Sequence, residues 1–521
     1  MLSVTAPQAV EAATATARRW AAESAGHPEP PAAKLLARVL AHPGGLAFTL
    51  DFVDGVLRPE DPGVAATALR GLTRRPAPFL PLPLRWGLRA VGLAPRPALG
   101  LVRAAFTALV GDLVVDVGRR LGPSLRRCRR RGRSLNVNLL GEAVLGDRHA
   151  AARLRETMRL LSRADVDYVS IKVSSVLGPH SPWAHARTVD EAVDRLGPLM
   201  RLAARTGKFV NLDMEEYRDL HLTLDVFSRL VLEPELLTLR AGIAVQTYLV
   251  ESGLVLRELD ELAARREAAG GAPLKVRLDK GANLAMERVQ AELRGWENPV
   301  HGSKVETDAS FLRALDFCLT PERARRLRVG VASHNVFTLA AAWELARARG
   351  VAAEVDVEML SGMGVPLQEV ILREVGRLRL YVPVVPRAEF DSAISYLVRR
   401  LEENAAPENF MSGAADLGRD ASFLDREEAR FRRAVSLVGS PTPGRWATQE
   451  RPDGGPGFAN AQDTNPALRA NQAWAQGILA RLPAPELGAE RVGRATVASA
   501  AAVEAALTRG RQAGEAWAAV R

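Results

Sequence analysis

Four residues near position 400 have the types and spacing of a recognition site. Tyr396, Arg399, Arg400 and Glu403, in Y-L-V-R-R-L-E-E-N (396–404), fall at i, i+3, i+4 and i+7. On a helix that spacing lays them along one face. Two neighbouring guanidiniums repel each other unless an anion lies in front of them, and a carboxylate gripped bidentately is the usual reason for the pairing. The plain alternative is a solvated arginine face answered by Glu402 and Glu403.

A second set of polar groups recurs at regular intervals. Glu142, Lys172, Asp213, Gln246, Arg277 with Lys280, His334 with Asn335, Glu358 and Tyr381 each stand in or just after a short β-branched run. The runs are 135–140, 168–173, 209–214, 241–248, 275–280, 328–333, 353–359 and 378–384. Longer segments of helical periodicity lie between them, as at 148–163, 188–206, 253–269 and 337–349. Eight strands alternating with helices is the count of a (β/α)8 barrel, an α/β fold that gathers functional side chains at the C-terminal ends of its strands. A doubly wound sheet usually carries a glycine-rich phosphate turn after its first strand, and none stands here. The mouth so formed carries both signs of charge. It suits a zwitterion and an anionic cofactor together.

Ahead of the barrel, residues 1–32 read as an N-terminal helical arm and 33–134 as an α-helical domain. Within that domain 76–97 holds six prolines around Trp86 and reads as a loop, lying on its own domain or over a partner or membrane surface. The barrel is placed at 135–430. Metal chemistry is not expected: the histidines are scattered, and His334 has no ligand partner at i+2 to i+4. Two cysteines, Cys128 and Cys318, are too few for a disulfide framework and fit a reducing compartment. No signal peptide or apolar span is visible, which points to the cytoplasm, with peripheral association on the inner face of the cytoplasmic membrane left open. Of the net charge of +10, much lies in L-R-R-C-R-R-R-G-R (125–133). That run could meet nucleic acid or anionic lipid. With no aromatics interleaved, a solvated arginine-rich helix end is the favoured reading, and no nucleic acid is expected.

Five blocks together resemble the proline dehydrogenase family: Y-V-S-I-K (168–172), L-D-M-E-E (212–216), V-R-L-D-K-G-A (276–282), S-H-N (333–335) and Y-L-V-R-R-L-E-E-N (396–404). With helical arms ahead of the barrel, the arrangement looks like the proline dehydrogenase half of the bifunctional proline utilisation A proteins. Residues 431–521 resemble the linker and the truncated start of an aldehyde dehydrogenase half, whose activity is not expected from these residues. The resemblance implies oxidation of L-proline to Δ1-pyrroline-5-carboxylate, with FAD taking the hydride and a membrane quinone reoxidising it; a homo-oligomer is compatible with it. It implies that Arg399 and Arg400 clamp the proline carboxylate and that Glu142 holds Arg400. Lys172 and Asp213 would line the proline pocket close to the flavin, with Tyr381 packing against the ring. Gln246, Arg277, Lys280, Gly281, Ala282, Lys304, Ser333, His334, Asn335 and Glu403 would hold FAD.

Three departures stand out. Asn283 and Leu284 occupy positions where the family often has aromatics, Gly302 one where a hydroxyl is usual, and Asp279 one that is usually apolar. In a strand Asp279 shares a face with Arg277, so it either neutralises that arginine or weakens pyrophosphate binding. Two other classes of function stay open from the residues alone. One is a barrel enzyme forming a Schiff base on Lys172 or Lys280 with a phosphorylated substrate; the other is a scaffold that binds DNA or lipid through 125–133.

Overall fold

The computed structural model describes residues 2–28, 34–35, 38–39, 42–110, 114–118, 121–129, 132–141, 144–386, 396, 409–413, 417–418, 420–440, 449, 463–481 and 499–518. The eight expected strands form: β1 Ser134–Leu139, β2 Tyr168–Lys172, β3 Phe209–Asp213, β4 Ala241–Gln246, β5 Leu274–Asp279, β6 Leu327–Ala332, β7 Val355–Leu360 and β8 Arg379–Val385. Each pairs in parallel with the next, and β8 pairs back onto β1, closing a (β/α)8 barrel. A two-residue strand, Val115–Asp116, adds to β8 where only helical periodicity was expected.

Alternation along the strands sorts the side chains. Val137, Ile171, Leu212, Val245, Val276, Val331 and Val357 face outward into the main core, against the surrounding helices. The opposite faces carry Asn136, Asn138, Ser170, Asn211, Lys275, Arg277, Glu358 and Tyr381. The barrel lumen is therefore polar, whereas layers of branched apolar residues are usual there.

The arm forms the Pro7–Ser24 helix, which packs on the Val336–Ala348 and Val365–Val375 helices. Ala13, Ala17, Trp20 and Ala21 are buried along one stripe of it. Arg19 reaches Glu374 at 2.8 Å and Thr16 reaches Glu344 at 2.8 Å. The proline-rich stretch is not a loop. It holds the Leu82–Leu93 helix and the start of the Pro95–Val110 helix. Pro83 and Pro95 sit in first turns, where a missing N–H costs no internal hydrogen bond. Of the 125–133 arginines, Arg129 pairs with Asp167 at 3.0 Å and Arg133 with Glu369 at 2.6 Å, so part of that charge is answered within the fold.

Trp20 is fully buried. Trp20→Ala is expected to destabilise the protein by about 3–5 kcal/mol, read by chemical denaturation. A loss below 1 kcal/mol would mean that the arm is not packed as part of the core.

Candidate functional site

The site begins inside the barrel, on Arg277. Its Nε donates to Glu358 Oε2 at 2.8 Å, its Nη1 contacts Asp213, and its Nη2 reaches Ser170 Oγ at 3.2 Å. Asn211 also donates to Asp213, at 2.7 Å, and the Tyr381 hydroxyl lies 3.4 Å from the same carboxylate. Asn138 contacts that hydroxyl in turn, and the Arg277 guanidinium stands 5.6 Å from the Tyr381 ring centre. One layer below, Lys275 reaches Asp356 at 2.8 Å and Glu358 at 2.5 Å, and Arg379 reaches Asp356 at 3.4 Å. Three cations thus interleave with three carboxylates. Burial opposes the charge on Arg277, but Asp213 and Glu358 outweigh it and hold the guanidinium well above its ordinary value. Burial likewise opposes the Glu358 charge, and Lys275, Arg277 and Arg379 still bring its carboxyl down to about 2. Asp279 is not the partner that strand alternation suggested for Arg277: its carboxylate accepts from the Gly281 N–H at 2.8 Å.

At the mouth, Lys172 and Asp213 are neighbours in register on β2 and β3. Lys172 contacts Glu215, a residue not singled out from the sequence, and is only partly buried. Lys172, adjacent in register to Asp213, thus joins the cluster of Asp213, Tyr381 and Arg277.

A second group lies at the ends of β5 and β6. A capping box, Ser303 with Glu306, starts the Lys304–Cys318 helix and presents Lys304 and Asp308 one turn apart. Asp308 contacts Lys304 and accepts from Lys280 at 2.7 Å; Lys280 also donates to Thr338 Oγ1 at 2.9 Å. Arg430, from the Ala421–Ser436 helix, stands 3.9 Å from Asp308 and contacts Glu427. Asn335 caps the Val336–Ala348 helix through Thr338 N at 3.0 Å, Ser333 accepts from Asn335 N at 3.1 Å, and His334 Nε2 accepts from Leu360 N at 3.1 Å. Among the described residues, Lys280, Lys304 and Arg430 gather with Asp308 and Glu427 beside a helix N-terminus, a setting suited to phosphate. Burial lowers the Lys280 ammonium to about 8 despite Asp308. Asp308 is raised by burial but brought down to about 2 by Lys280 and Lys304.

Two further details bear on a bound cofactor. Gln246 is buried, and its Oε1 has no hydrogen-bond partner among the described residues. Gly281 has φ +86°, and a Cβ there would stand 2.3 Å from the Tyr248 ring, so only glycine fits. Ala282 follows it, half-buried, before the exposed Leu284. Arg399, Arg400, Glu403 and Glu142 lie outside the described residues. Sequence reasoning missed Glu215, Asp308, Thr338, Glu427 and Arg430. The Lys304–Asp308 spacing was a visible signal; Glu427 and Arg430 had none, because only docking of a later helix brings them in.

Beside the mouth runs a buried polar network. Glu251 accepts from Tyr217 OH at 3.1 Å and stands 3.7 Å from His221 Nε2. Arg469 donates to His221 Nδ1 at 3.0 Å and to Asp225 at 3.0 Å. Burial raises the Glu251 carboxyl to about 7, with Tyr217 and Arg469 opposing. Burial lowers His221 to about 3, with Arg469 assisting.

A sequence model described as proline dehydrogenase matches residues 122–413. The bifunctional protein PutA of Salmonella typhimurium is 31% identical over 340 residues, 61% of this chain and 25% of that protein. The PutA of Rhizobium meliloti is 33% identical over 281 residues, 52% of this chain and 22% of that protein. Among solved structures, proline utilization A from Corynebacterium freiburgense is 45% identical, with a TM-score of 0.64, over 72% of this chain and 37% of that one. Proline utilization A from Bdellovibrio bacteriovorus, inactivated by N-propargylglycine, is 25% identical, with a TM-score of 0.72, over 92% and 48%. The chain spans about a quarter of the length of these curated relatives.

The buried network yields a pH dependence. The unfolded chain releases the Glu251 proton above its ordinary 4.5, whereas the folded chain keeps it to about 7, so this contribution to stability falls as pH rises across that window. His221 works the other way: the unfolded chain takes up a proton below 6.5 and the folded chain only near 3, so its contribution rises with pH between them. The stability of Glu251→Gln relative to the parent is therefore expected to climb by roughly 3 kcal/mol between pH 4.5 and 7, measured by denaturation at each pH. A difference that does not change with pH refutes the assignment.

Proposed function

The chain belongs to the proline dehydrogenase family, and from that membership we propose that it oxidises L-proline to Δ1-pyrroline-5-carboxylate with bound FAD, passing the electrons to a quinone dissolved in a bilayer. The observation that carries the reading is the pairing of two chemistries at one end of the barrel. Lys172, Asp213, Arg277 and Tyr381 form a cluster of both charge signs, suited to a small zwitterion. Beside it Lys280, Lys304 and Arg430 face the helix start at Asn335, a cradle for phosphates.

The residues fit FAD. Gln246 offers an unsatisfied buried acceptor, Gly281 brings the chain close, and Lys280 with Lys304 can meet a pyrophosphate once Asp308 shares them. Ala282, Ser333, His334, Asn335 and Glu403 complete the proposed cofactor set. Bound FAD supplies the acceptor for the hydride that leaves proline C5.

This chain's own residues do the rest. Arg399 and Arg400 hold the proline carboxylate, and Glu142 orients Arg400. Arg277 neutralises Asp213, so the pocket offers no free carboxylate to hold the amine in its charged form. The nearby Lys172 cation disfavours that form further, and hydride leaves C5 best from a neutral amine. The Schiff-base alternative fares worse, since both candidate lysines are engaged in ion pairs, Lys280 with Asp308 and Lys172 with Glu215.

The purified protein is expected to be yellow and to bleach on adding L-proline, with dye or quinone reduction following; a colourless protein that takes up no FAD defeats the proposal. Arg400→Met is expected to raise the KM for proline roughly 10- to 100-fold in a chain that still folds, because a charge-assisted pair is lost. An unchanged KM removes the carboxylate clamp.

A further inference from the structure

Glu358 lies on the lumen face of β7 and is buried. Its Oε2 accepts from Arg277 Nε at 2.8 Å, and its Oε1 stands 2.5 Å from Lys275 Nζ. Asp356, one pleat down the same strand, shares Lys275 at 2.8 Å and also meets Arg379 of β8 at 3.4 Å. Tyr168 of β2 lies close as well, with Lys275 and Arg379 over its ring. On the β6 side a Cβ at Gly330 would stand 2.5 Å from Glu358 Oε1, so the carboxylate lies against bare backbone there.

Arg277 is gripped on two edges. Glu358 takes the Nε edge and Asp213 meets Nη1. A guanidinium is planar, so an acceptor fixed at Nε settles where the other two nitrogens point. The counter-charge is divided too: one guanidinium answers two carboxylates, and Lys275 takes part of Glu358 from below. We propose that Glu358 is a positioning residue for proline oxidation. It turns Arg277 toward Asp213, and its charge sets how strongly the pocket disfavours a protonated amine. Lys275, bound to the other oxygen, acts in the opposite sense. The inference rests on the proline dehydrogenase reading, in which Lys172, Asp213, Arg277 and Tyr381 face the amine. Lys275, Arg277 and Arg379 outweigh burial and bring the Glu358 carboxyl down to about 2, and burial pushes the Tyr168 phenol up. Neither changes charge near neutral pH, so removing Glu358 removes a standing charge. At an effective dielectric constant of about 20, a unit charge about 10 Å away shifts a pKa by roughly one unit.

The test is the pH dependence of kcat for proline-dependent dye reduction by the FAD-loaded full chain, because kcat reports groups in the bound complex. Proline must lose its amine proton before hydride leaves, so kcat is expected to fall on the acid side. Glu358→Gln keeps an oxygen for Arg277 Nε and loses the charge. The bound amine then gives up its proton more readily, and the acid limb is expected about one pH unit lower. Lys275→Met makes the lumen one charge more negative, and its limb is expected about one unit higher. Glu358→Asp keeps the charge and shortens the reach; its limb is expected to stay while kcat falls about tenfold. Cyclopentanecarboxylate, which has the ring and the carboxylate without the amine, supplies a readout free of turnover. Its affinity by calorimetry is expected to be about threefold or more tighter in Glu358→Gln than in the parent. Limbs that do not move, or that move the same way in Glu358→Gln and Lys275→Met, overturn the proposal, as does a loss of stability with no other effect. If Glu358→Gln does not fold, Lys275→Met and Glu358→Asp carry the same test. A parent that oxidises no proline removes the enzymatic reading and this role with it. A parent that turns proline over while the limbs of its variants stay put removes the role of Glu358 alone.

Discussion

The barrel is organised around charges that are mostly buried in its lumen. Arg277 bridges Asp213 and Glu358, Glu358 is shared with Lys275, and Lys275 is shared with Asp356. Buried ions are costly, and only close, multiple partners offset the loss of hydration. Deleting one member would leave its neighbours uncompensated, so the set acts as a unit. It also dictates small residues around it. A Cβ on Gly330 would come within 2.5 Å of Glu358 and 2.7 Å of Lys275. A Cβ on Gly242 would meet Asn211 at 2.5 Å. The lumen is thus a packed ionic core, continuous at its upper end with Lys172 and Tyr381.

The same economy of shared partners governs the second cluster. Asp308 serves Lys280 and Lys304 together, and Glu427 stands by both Arg430 and Asn335. These groups come from helices that follow different strands, so their spacing depends on how the helices dock. The arm takes part in that docking. It packs on the helix that Asn335 caps, and its Arg18 reaches Glu428 at 2.6 Å on the helix that carries Glu427 and Arg430. Exposed ion pairs of this kind contribute little singly. The burial of Trp20 and its alanine neighbours is the larger effect.

The strands were legible because both of their faces are constrained. Outward β-branched residues alternate with inward polar ones, so Val137, Val169 and Val276 mark their strands beside Asn138, Ser170 and Arg277. The polar character of the C-terminal strand ends was legible because charged and amide groups recur there. The helix at 82–93 was not, since proline counts suggest a loop until the prolines are seen in first turns. The partner of Arg277 was misjudged for a related reason. Alternation tells which face a residue shares but not which neighbouring strand supplies its counter-charge.

Local chemistry in the chain was therefore enough to determine the α/β alternation, the eight strands, the polar strand ends and the family. These depend on periodicity and on residue types a few positions apart. Tertiary structure alone decided that Asp213 and Glu358 share Arg277, that Asp308 also takes Lys280, and that Leu82, Trp86 and Leu93 face away from their domain. Each of those pairs or faces joins residues far apart in the chain or depends on which side another element covers. No periodicity encodes that.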